Sequence, residues 1–215
     1  MLPIHQAVKS ENGWHERTVE IDDSGRLVFG MAREPIPRFA VLLPAWVRAA
    51  PVGAVFEWRP DAEIMKIASR VRDQEGAALI VDYGHVRSDA GDTFQAIARH
   101  NFADPLENPG QADVTAHVDF QALVRATEDL GARVHGPVPQ GDFLKRLGIE
   151  NRAVGLMAKA TNETSQDIAS ALKRLVGGGR GGMGQMFKVL GVSEPDLATL
   201  AGFADEAPDA KAEAT

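Results

Sequence analysis

Residues 77–85 place polar side chains directly after a run of apolar ones. The run Ala77–Val81 leads into Asp82, Tyr83, Gly84 and His85. An uninterrupted apolar run is typical of a strand buried on both faces of a parallel sheet. Ligands bind at the carboxyl ends of such strands in open α/β sheets, so the sequence predicts a site here. A turn-capping Asp82 and a crevice-filling Tyr83 would explain the same residues equally well.

A long polar loop over residues 99–118 could close over the same strand end. It contains Asp104, Asp113 and His117, whose side chains could contact a substrate or order the loop. Together with His100 these residues could also ligate a metal ion. Loop residues have no enforced geometry, and no helix presents a pair of histidines four residues apart. We therefore expect no metal site.

Several other classes of chemistry are excluded by what the chain lacks. It contains no cysteine, which excludes disulfides, thiolate catalysis and thiolate zinc sites. It has no G-x-S-x-G elbow of a serine hydrolase. The stretch Gly177–Gly182 matches G-x-G-x-x-G, but it follows a predicted helix and precedes a strand, the reverse of a dinucleotide site. We expect a flexible connection there.

Composition and charge are those of an ordinary soluble domain. The 215 residues are 44% hydrophobic and 25% charged, with a net charge of -7. Neither nucleic acid nor an anionic membrane is an expected partner of such a chain. No apolar run is long enough to span a bilayer, and the N-terminus resembles neither a signal nor a transit peptide. We expect a cytoplasmic protein, or one of the mitochondrial matrix if a longer precursor exists.

Hydrophobic patterning predicts a mixed α/β fold. A β-hairpin is predicted over about 13–32, because two strand-like segments flank the turn Asp22–Gly25. Four prolines in residues 33–53 predict a surface excursion with a short helix near Trp46. The remaining predictions, in chain order, are an extended segment at 56–58, a helix from Pro60 to about Val71, a strand at 77–84, an extended piece at 93–98, a loop at 101–117, a helix at 120–130 capped by Asp119, a strand at 133–138, helices at 141–158 and 163–175, and a strand at 185–190.

Several spaced segments together resemble the MidA family of S-adenosylmethionine-dependent methyltransferases. This family includes a mitochondrial assembly factor of respiratory complex I that methylates a protein arginine. The segments are Asp82-Tyr83-Gly84, Gly91-Asp92-Thr93-Phe94-Gln95-Ala96, Asp104-Pro105-Leu106 with Pro109-Gly110, and Asp113-Val114-Thr115-Ala116-His117-Val118-Asp119-Phe120, flanked by Leu2–Gln6, Gly13–Arg17 and Gly184–Leu190. Because they follow one another in the family's order, the resemblance is specific.

The resemblance covers residues 2–192 and implies an α/β fold. The expected architecture is part of a class I (Rossmann-like) methyltransferase sheet with an inserted β-hairpin and helices. Residues 1–192 would form the C-terminal portion of a methyltransferase domain. Residues 193–215 would form a polar tail, disordered from about residue 205.

The resemblance also implies methyl transfer from S-adenosylmethionine to a protein, with arginine as the acceptor and a respiratory complex I subunit as a candidate substrate. Such a reaction needs carboxylates that orient the guanidinium and localise its charge. The matching positions with catalytic roles are Asp82, Tyr83, Asp104, Asp113 and His117. Those with substrate contacts are Gly84, His85, Gln95, Pro109, Gly110 and Thr115.

The chain departs from the family pattern at the methyl donor. Family members carry a Glu-(Leu/Ile)-Gly-x-Gly-x-Gly loop and an Asn-Glu-Phe-Phe-Asp segment, and neither occurs in this sequence. We therefore expect no binding of S-adenosylmethionine by this chain alone. The family strand that pairs with residues 79–84 is also missing, which predicts an exposed strand edge and oligomerisation through it. The alternative function is a non-catalytic fragment, or an assembly and binding module.

Overall fold

The computed structural model describes residues 3–99, 101–179 and 181–203, which fall into two compact units. Unit 1 comprises Met1–Asp61 and Arg87–Gln121, and unit 2 comprises Ala62–Val86 and Ala122–Thr215. The strands are β1 His5–Ser10, β2 Gly13–Ile21, β3 Leu27–Met31, β4 Val55–Trp58, β5 Ala77–His85, β6 Gln95–Ala98, β7 Asn101–Ala103, β8 Asp113–Thr115, β9 Val118–Asp119, β10 Arg133–Pro139 and β11 Phe187–Ser193. The helices are α1 Phe39–Leu42, α2 Ala45–Arg48, α3 Ala62–Gln74, α4 Phe120–Glu128, α5 Gln140–Arg146, α6 Ile149–Met157 and α7 Asn162–Val176.

Unit 1 contains an antiparallel sheet in the order β3-β2-β1-β4. Trp14 and Phe56 lie on one face of this sheet and form a core with Phe39, Leu43 and Val47. The last three are spaced four residues apart, so the excursion between β3 and β4 covers the sheet with one apolar stripe. The short helix predicted near Trp46 is α2.

The predicted hairpin of unit 1 is confirmed as β2 and β3. Its turn is held by Asp22, whose Oδ1 accepts hydrogen bonds from the backbone N–H of Ser24 and of Arg26, each at 2.9 Å. The Ser24 hydroxyl donates to the same oxygen at 2.5 Å. A carboxylate that gathers these donors fixes the register of the two strands.

The loop predicted over 101–117 is interrupted by two short strands. Part of this segment forms β7 and β8, which flank β6 in a small antiparallel sheet of order β7-β6-β8. These strands could not be recognised in the sequence, because β7 and β8 are only three residues long each. The prolines, glycines and aspartates between them are typical of turns.

In unit 2 the strands lie in the order β10-β11-β5 and both pairings are antiparallel. The central strand β11 is buried at five consecutive residues, Val189–Ser193. Helices α3 and α5 pack against this strand. Strand β11 begins two residues later and ends three residues later than the strand predicted at 185–190.

The prediction that residues 77–84 form a fully buried parallel strand is wrong. The segment is a strand, β5, but it runs antiparallel to β11, and alternate side chains are exposed. Leu79 is 52% exposed and Val81 is 46% exposed. An apolar run predicts burial only where both faces of its sheet are covered. Within unit 2, one face of β5 carries no such cover at Leu79 and Val81.

Glycines explain two further differences between the predicted and the observed structure of unit 2. The helix predicted over 141–158 is divided into α5 and α6, because Gly148 adopts a left-handed conformation with φ of 82°. The glycine tract predicted as a flexible connection is closely packed at Gly177, Gly182 and Gly184. The N–H of Gly184 donates to the carbonyl of Gly177 at 2.8 Å, and a Cβ on Gly184 would lie 2.3 Å from the carbonyl oxygen of Val176. Glycine is needed here for close backbone approach.

Residues 193–203, predicted as the start of a polar tail, contribute buried residues to unit 2, among them Ser193, Gly202 and Phe203. Phe203 is buried with Phe143 of α5 and Val189 of β11. Arg133 Nη1 donates to the carbonyl of Leu197 at 2.9 Å. The disorder predicted from residue 205 lies outside the described residues. Among the residues that the structure describes, no helix is both long and apolar enough to cross a bilayer.

Candidate functional site

A buried carboxylate organises the signature segments of unit 1. Glu57 lies on β4, on the sheet face opposite the aromatic core, and is 8% exposed. Its Oε1 accepts hydrogen bonds from Gln6 Nε2 at 2.6 Å and from the backbone N–H groups of Thr93 and Phe94 at 3.0 and 3.1 Å. Its Oε2 accepts from the Thr93 hydroxyl. Four donors around one buried carboxylate offset the cost of removing its charge from water.

The same hydroxyl connects Glu57 to His117. The backbone N–H of His117 donates to Thr93 Oγ1 at 2.9 Å, and Arg59 Nη1 donates to the carbonyl of His117 at 2.8 Å. The backbone of His117 is therefore held on both sides. Glu57, Thr93, His117 and Arg59 together are called the Glu57 clamp below.

The clamp is extended by an ion pair on the same sheet face. Arg17 Nη1 lies 2.7 Å from Asp92 Oδ2 and donates to Gln6 Oε1 at 3.2 Å. Gln6 in turn donates to Asp92 Oδ1 at 3.0 Å. The Arg17 guanidinium also lies over the ring of Phe29, 3.6 Å from its centroid. The segment Gly91–Phe94 is thus fixed to the sheet at three successive residues.

The small sheet brings three of the predicted site residues together. Gln95 on β6 is paired with Thr115 on β8, and Asp113 is paired with Ile97. Paired residues and residues two apart share a face of a sheet, so Gln95, Asp113 and Thr115 lie on one face. Asp113 is exposed and Gln95 is half-buried. The hydroxyl oxygen of Thr115 is buried and has no protein partner among the described residues.

Three other predicted residues of unit 1 lie in the segment between β7 and β8. Asp104 Oδ1 accepts from the N–H of Leu106 at 2.8 Å, and Gly110 has a φ of 85° that closes a turn. Asp104 and Pro109 line a cleft of about 590 Å³ that also includes the start of β3. The lining residues are Gly25, Arg26, Leu27, Val28, Asp104, Leu106, Glu107, Asn108 and Pro109.

The other four predicted residues, Asp82, Tyr83, Gly84 and His85, belong to unit 2 and end β5. All four are half-buried. Asp82 Oδ1 accepts a hydrogen bond from the N–H of Tyr83 at 2.8 Å. The ring of Tyr83 contacts the ring of Phe187 edge-on, with the ring centroids 5.6 Å apart.

The strand next to this end carries a half-buried cation. Lys188 is paired with Asp82 in the β5–β11 register. Burial lowers the pKa of Lys188 below its ordinary value. Its ammonium donates to the carbonyls of Gln185 and, at 3.2 Å, Met186.

Sequence reasoning missed Glu57, Arg59, Arg17 and Lys188. A signal existed for Glu57, since a carboxylate between Phe56 and Trp58 in a strand must point to the face opposite the aromatic residues. The partners of that carboxylate lie 36 or more residues away along the chain, and no local pattern identifies them.

The residues present do not fit the methyl donor. The glycine loop that holds it in the MidA family does not occur in the sequence. In the one stretch with similar spacing, Gly177–Gly182, the last glycine packs against the first, since a Cβ on Gly182 would lie 2.5 Å from the carbonyl oxygen of Gly177. We assign no donor-binding residue in this chain. For metals, no cluster of three histidine, aspartate or glutamate side chains forms within residues 3–99, 101–179 and 181–203, and His100 lies outside them.

Comparisons with known proteins agree with the resemblance. Residues 1–138 match a family model described as "putative S-adenosyl-L-methionine-dependent methyltransferase". The chain is 36% identical over 202 residues to the mitochondrial protein arginine methyltransferase NDUFAF7 of Xenopus tropicalis, covering 89% of this chain and 44% of that protein. It is 36% identical over 169 residues to the human protein of the same name, covering 77% and 36%. The chain thus spans less than half the length of these curated relatives.

Solved structures match the fold over nearly the whole chain. An uncharacterised protein from Burkholderia thailandensis matches with a TM-score of 0.78 and 31% identity, covering 94% of this chain and 55% of that one. A second structure from the same organism, bound to S-adenosyl-homocysteine, matches with a TM-score of 0.77 and 30% identity, covering 94% and 53%. The expected α/β methyltransferase fold is confirmed. The chain belongs to this family of S-adenosyl-L-methionine-dependent methyltransferases.

Proposed function

We propose that this chain supplies the acceptor-binding part of an S-adenosylmethionine-dependent protein arginine methyltransferase. The observation that carries the proposal is the Glu57 clamp. It fixes the two signature segments that contain Gln95, Thr115 and His117. A buried ionised group that holds the backbone of several segments pre-organises a site.

In this proposal aspartate carboxylates receive the acceptor. A guanidinium presents N–H groups in a planar fork that carboxylate oxygens accept in pairs. In unit 1, Asp104 and Asp113 supply such oxygens. In unit 2, Asp82 is the carboxylate to which the family resemblance assigns this role. Tyr83 and His117 orient the acceptor, while Gly84, His85, Gln95, Pro109, Gly110 and Thr115 contact the substrate chain around it.

The relatives support the choice of acceptor. The relatives are protein arginine methyltransferases, and the acidic residues of this chain suit a cationic side chain. A respiratory complex I subunit is the candidate substrate. The proposed compartment is the cytoplasm. The mitochondrial matrix is the alternative, because the relatives are mitochondrial proteins.

A calorimetric titration of the purified chain with S-adenosylmethionine tests the donor side. We expect no heat of binding, because the family's glycine loop does not occur in the sequence. Heat that saturates at one equivalent would show that these residues hold the donor, and would overturn our assignment.

Complementation tests the catalytic side. The chain is co-expressed with the portion of the Burkholderia thailandensis protein that it does not match, and transfer of a labelled methyl group to an arginine peptide is measured. We expect transfer by the pair and by neither part alone. A soluble complex that binds S-adenosylmethionine without transferring the methyl group would contradict the proposal.

A non-catalytic binding module is the second candidate. It is favoured by the exposed Leu79 and Val81 of β5, which suit association with another chain. Sedimentation velocity separates the two ideas. Association lost in a Leu79→Thr, Val81→Thr double variant, combined with failed complementation, would favour the module.

A further inference from the structure

The hairpin of unit 1 presents an apolar surface beside an unpaired strand edge. In the β2–β3 register Val19 is opposite Phe29, and Ile21 and Met31 continue the same face two residues along each strand. All four side chains are exposed, from 36% for Phe29 to 73% for Ile21. We call Val19, Ile21, Phe29 and Met31 the outer hairpin face.

The backbone of β3 carries free hydrogen-bonding groups at this edge. The N–H of Asp22 donates to the carbonyl of Arg26, and that of Ala32 donates to Glu16, so hydrogen-bonded pairs recur at every second residue of the hairpin. Leu27, Phe29 and Met31 therefore fall in the non-hydrogen-bonded pairs, and their N–H and C=O groups point away from β2. In the part of the chain that the structure describes, β3 ends its sheet and no strand pairs with that edge.

The cleft described above begins at the same edge. Its walls are residues 25–28 and the segment from Asp104 to Pro109, and it carries the carboxylates of Asp104 and Glu107. The one cation in its lining, Arg26, is paired with Asp22 at 3.2 Å. The cleft therefore has an acidic wall, which favours a cationic side chain.

The outer hairpin face is also continuous with the Glu57 clamp. Arg17, which is opposite Met31, shares the face of β2 with Val19 and pairs with Asp92 of the clamped segment. The ring of Phe29 contacts the ring of Phe94 edge-on, with the ring centroids 6.4 Å apart. A ligand on β3 would therefore run beside the segment that leads into Gln95, to which the proposed function assigns a substrate contact.

From this placement we infer that β3 is a docking strand for an extended peptide that carries basic residues alternating with apolar ones. The peptide adds to the free edge of β3 by backbone hydrogen bonds. Its apolar side chains pack on the outer hairpin face, and a basic side chain enters the cleft toward Asp104 and Glu107. This inference deepens the proposed function and rests on it, since the docked peptide is the protein substrate around the acceptor arginine.

The test uses a fluorescein-labelled nonapeptide of alternating valine and arginine, titrated with the 215-residue chain and followed by fluorescence polarisation without a methyl donor. We expect saturable binding. The same peptide N-methylated at alternate backbone amides keeps its side chains but cannot pair as a strand, and we expect its affinity to fall at least tenfold. Equal affinity of the two peptides would overturn strand addition.

A second comparison tests the cleft. An Asp104→Asn, Glu107→Gln double variant should bind the peptide at least fivefold more weakly, whereas Glu63→Gln, an exposed charge on α3, should bind as the parent chain does. No saturable binding by the parent chain, or no loss in the double variant, would overturn the inference. Circular dichroism and thermal unfolding confirm that each variant is folded. Because no methyl donor is present, loss of peptide binding is distinguished from a failure of methyl transfer.

Discussion

The carboxylate of Glu57 accepts hydrogen bonds from both the hydroxyl and the backbone N–H of Thr93. The two residues are separated by 36 positions in the chain and come from different elements of unit 1. Their contact joins the strand β4 to the segment that leads into β6, and it makes Thr93 the point at which His117 is attached.

Thr93→Val should destabilise unit 1. The substitution keeps the shape of the side chain but removes the hydroxyl, which leaves Glu57 Oε2 and the N–H of His117 without this partner. We expect the free energy of unfolding to fall by about 2 kcal/mol, as measured by urea denaturation. Thr93→Ser retains the hydroxyl and should cost less than half as much; equal losses would argue against the hydrogen bonds as the cause.

Glu57→Gln should also lower the free energy of unfolding, by about 1–3 kcal/mol, because an amide is a weaker acceptor than a carboxylate and brings two donors that need partners of their own. Glu16→Gln is the matched control, since Glu16 lies on β2 of the same sheet and is exposed. Among the described residues its carboxylate has one hydrogen bond, of 3.4 Å to His5. We expect no measurable change for the control. A similar effect of both substitutions would show that the clamp does not depend on the charge of Glu57.

The hairpin turn should give unit 1 a pH-dependent contribution to stability. Hydrogen bonds from the Ser24 hydroxyl and the backbone of Arg26 lower the pKa of Asp22 below its ordinary value of 3.8. Because the pKa is lower in the folded chain, the stabilisation is complete above 3.8 and is lost as the pH falls through the folded value. Asp22→Asn should therefore be less stable than the parent chain near neutral pH, and the difference should vanish well below pH 3.8.

Asp23→Asn is the control for this pH dependence, because it removes the neighbouring exposed carboxylate. Thermal unfolding over a pH series provides the measurement. A difference between Asp22→Asn and the parent that persists unchanged in acid would rule out the titration of Asp22 as its origin.

Two glycine substitutions in unit 2 should have opposite signs. Gly184→Ala places a methyl group 2.3 Å from the carbonyl oxygen of Val176, so the backbone must shift, and we expect a loss of about 2 kcal/mol or more. Gly155→Ala lies in α6 with no atom within 4 Å of the new Cβ, and helix propensity should raise stability by about 1 kcal/mol. A tolerated Gly184→Ala would show that the packed form of the glycine tract is not maintained in solution.

Most of the elements could be predicted from the sequence, because their signals are local. The hairpin, β4, α3, β10 and α7 each follow from periodicity and from the turn residues that bound them. The strands β7 and β8 could not be predicted, since three residues are too few for a pattern. The exposure of β5 depends on what covers each face of its sheet, which the strand's own residues do not encode.

The candidate site shows the same division. Gln95, Asp113 and Thr115 were identified through family resemblance, and the structure places them on one face of a small sheet. Glu57, which holds their segments, has no motif of its own. Its role depends on three partners distant in sequence, and only the folded chain reveals it.

The opposite faces of β4 have a consequence for how this region can change length. Phe56 and Trp58 point into the aromatic core, whereas Glu57 points to the opposite face of the sheet, where the clamp lies. Each of these residues therefore fits only one face of the sheet. A single-residue deletion that shifts the register of β4 would turn each of its side chains to the other face. The Glu57 carboxylate would then be buried among aromatic rings, and an aromatic ring would face the ion pair of Arg17 and Asp92. Insertions and deletions in this sheet should therefore be tolerated only in its connecting segments, or in pairs.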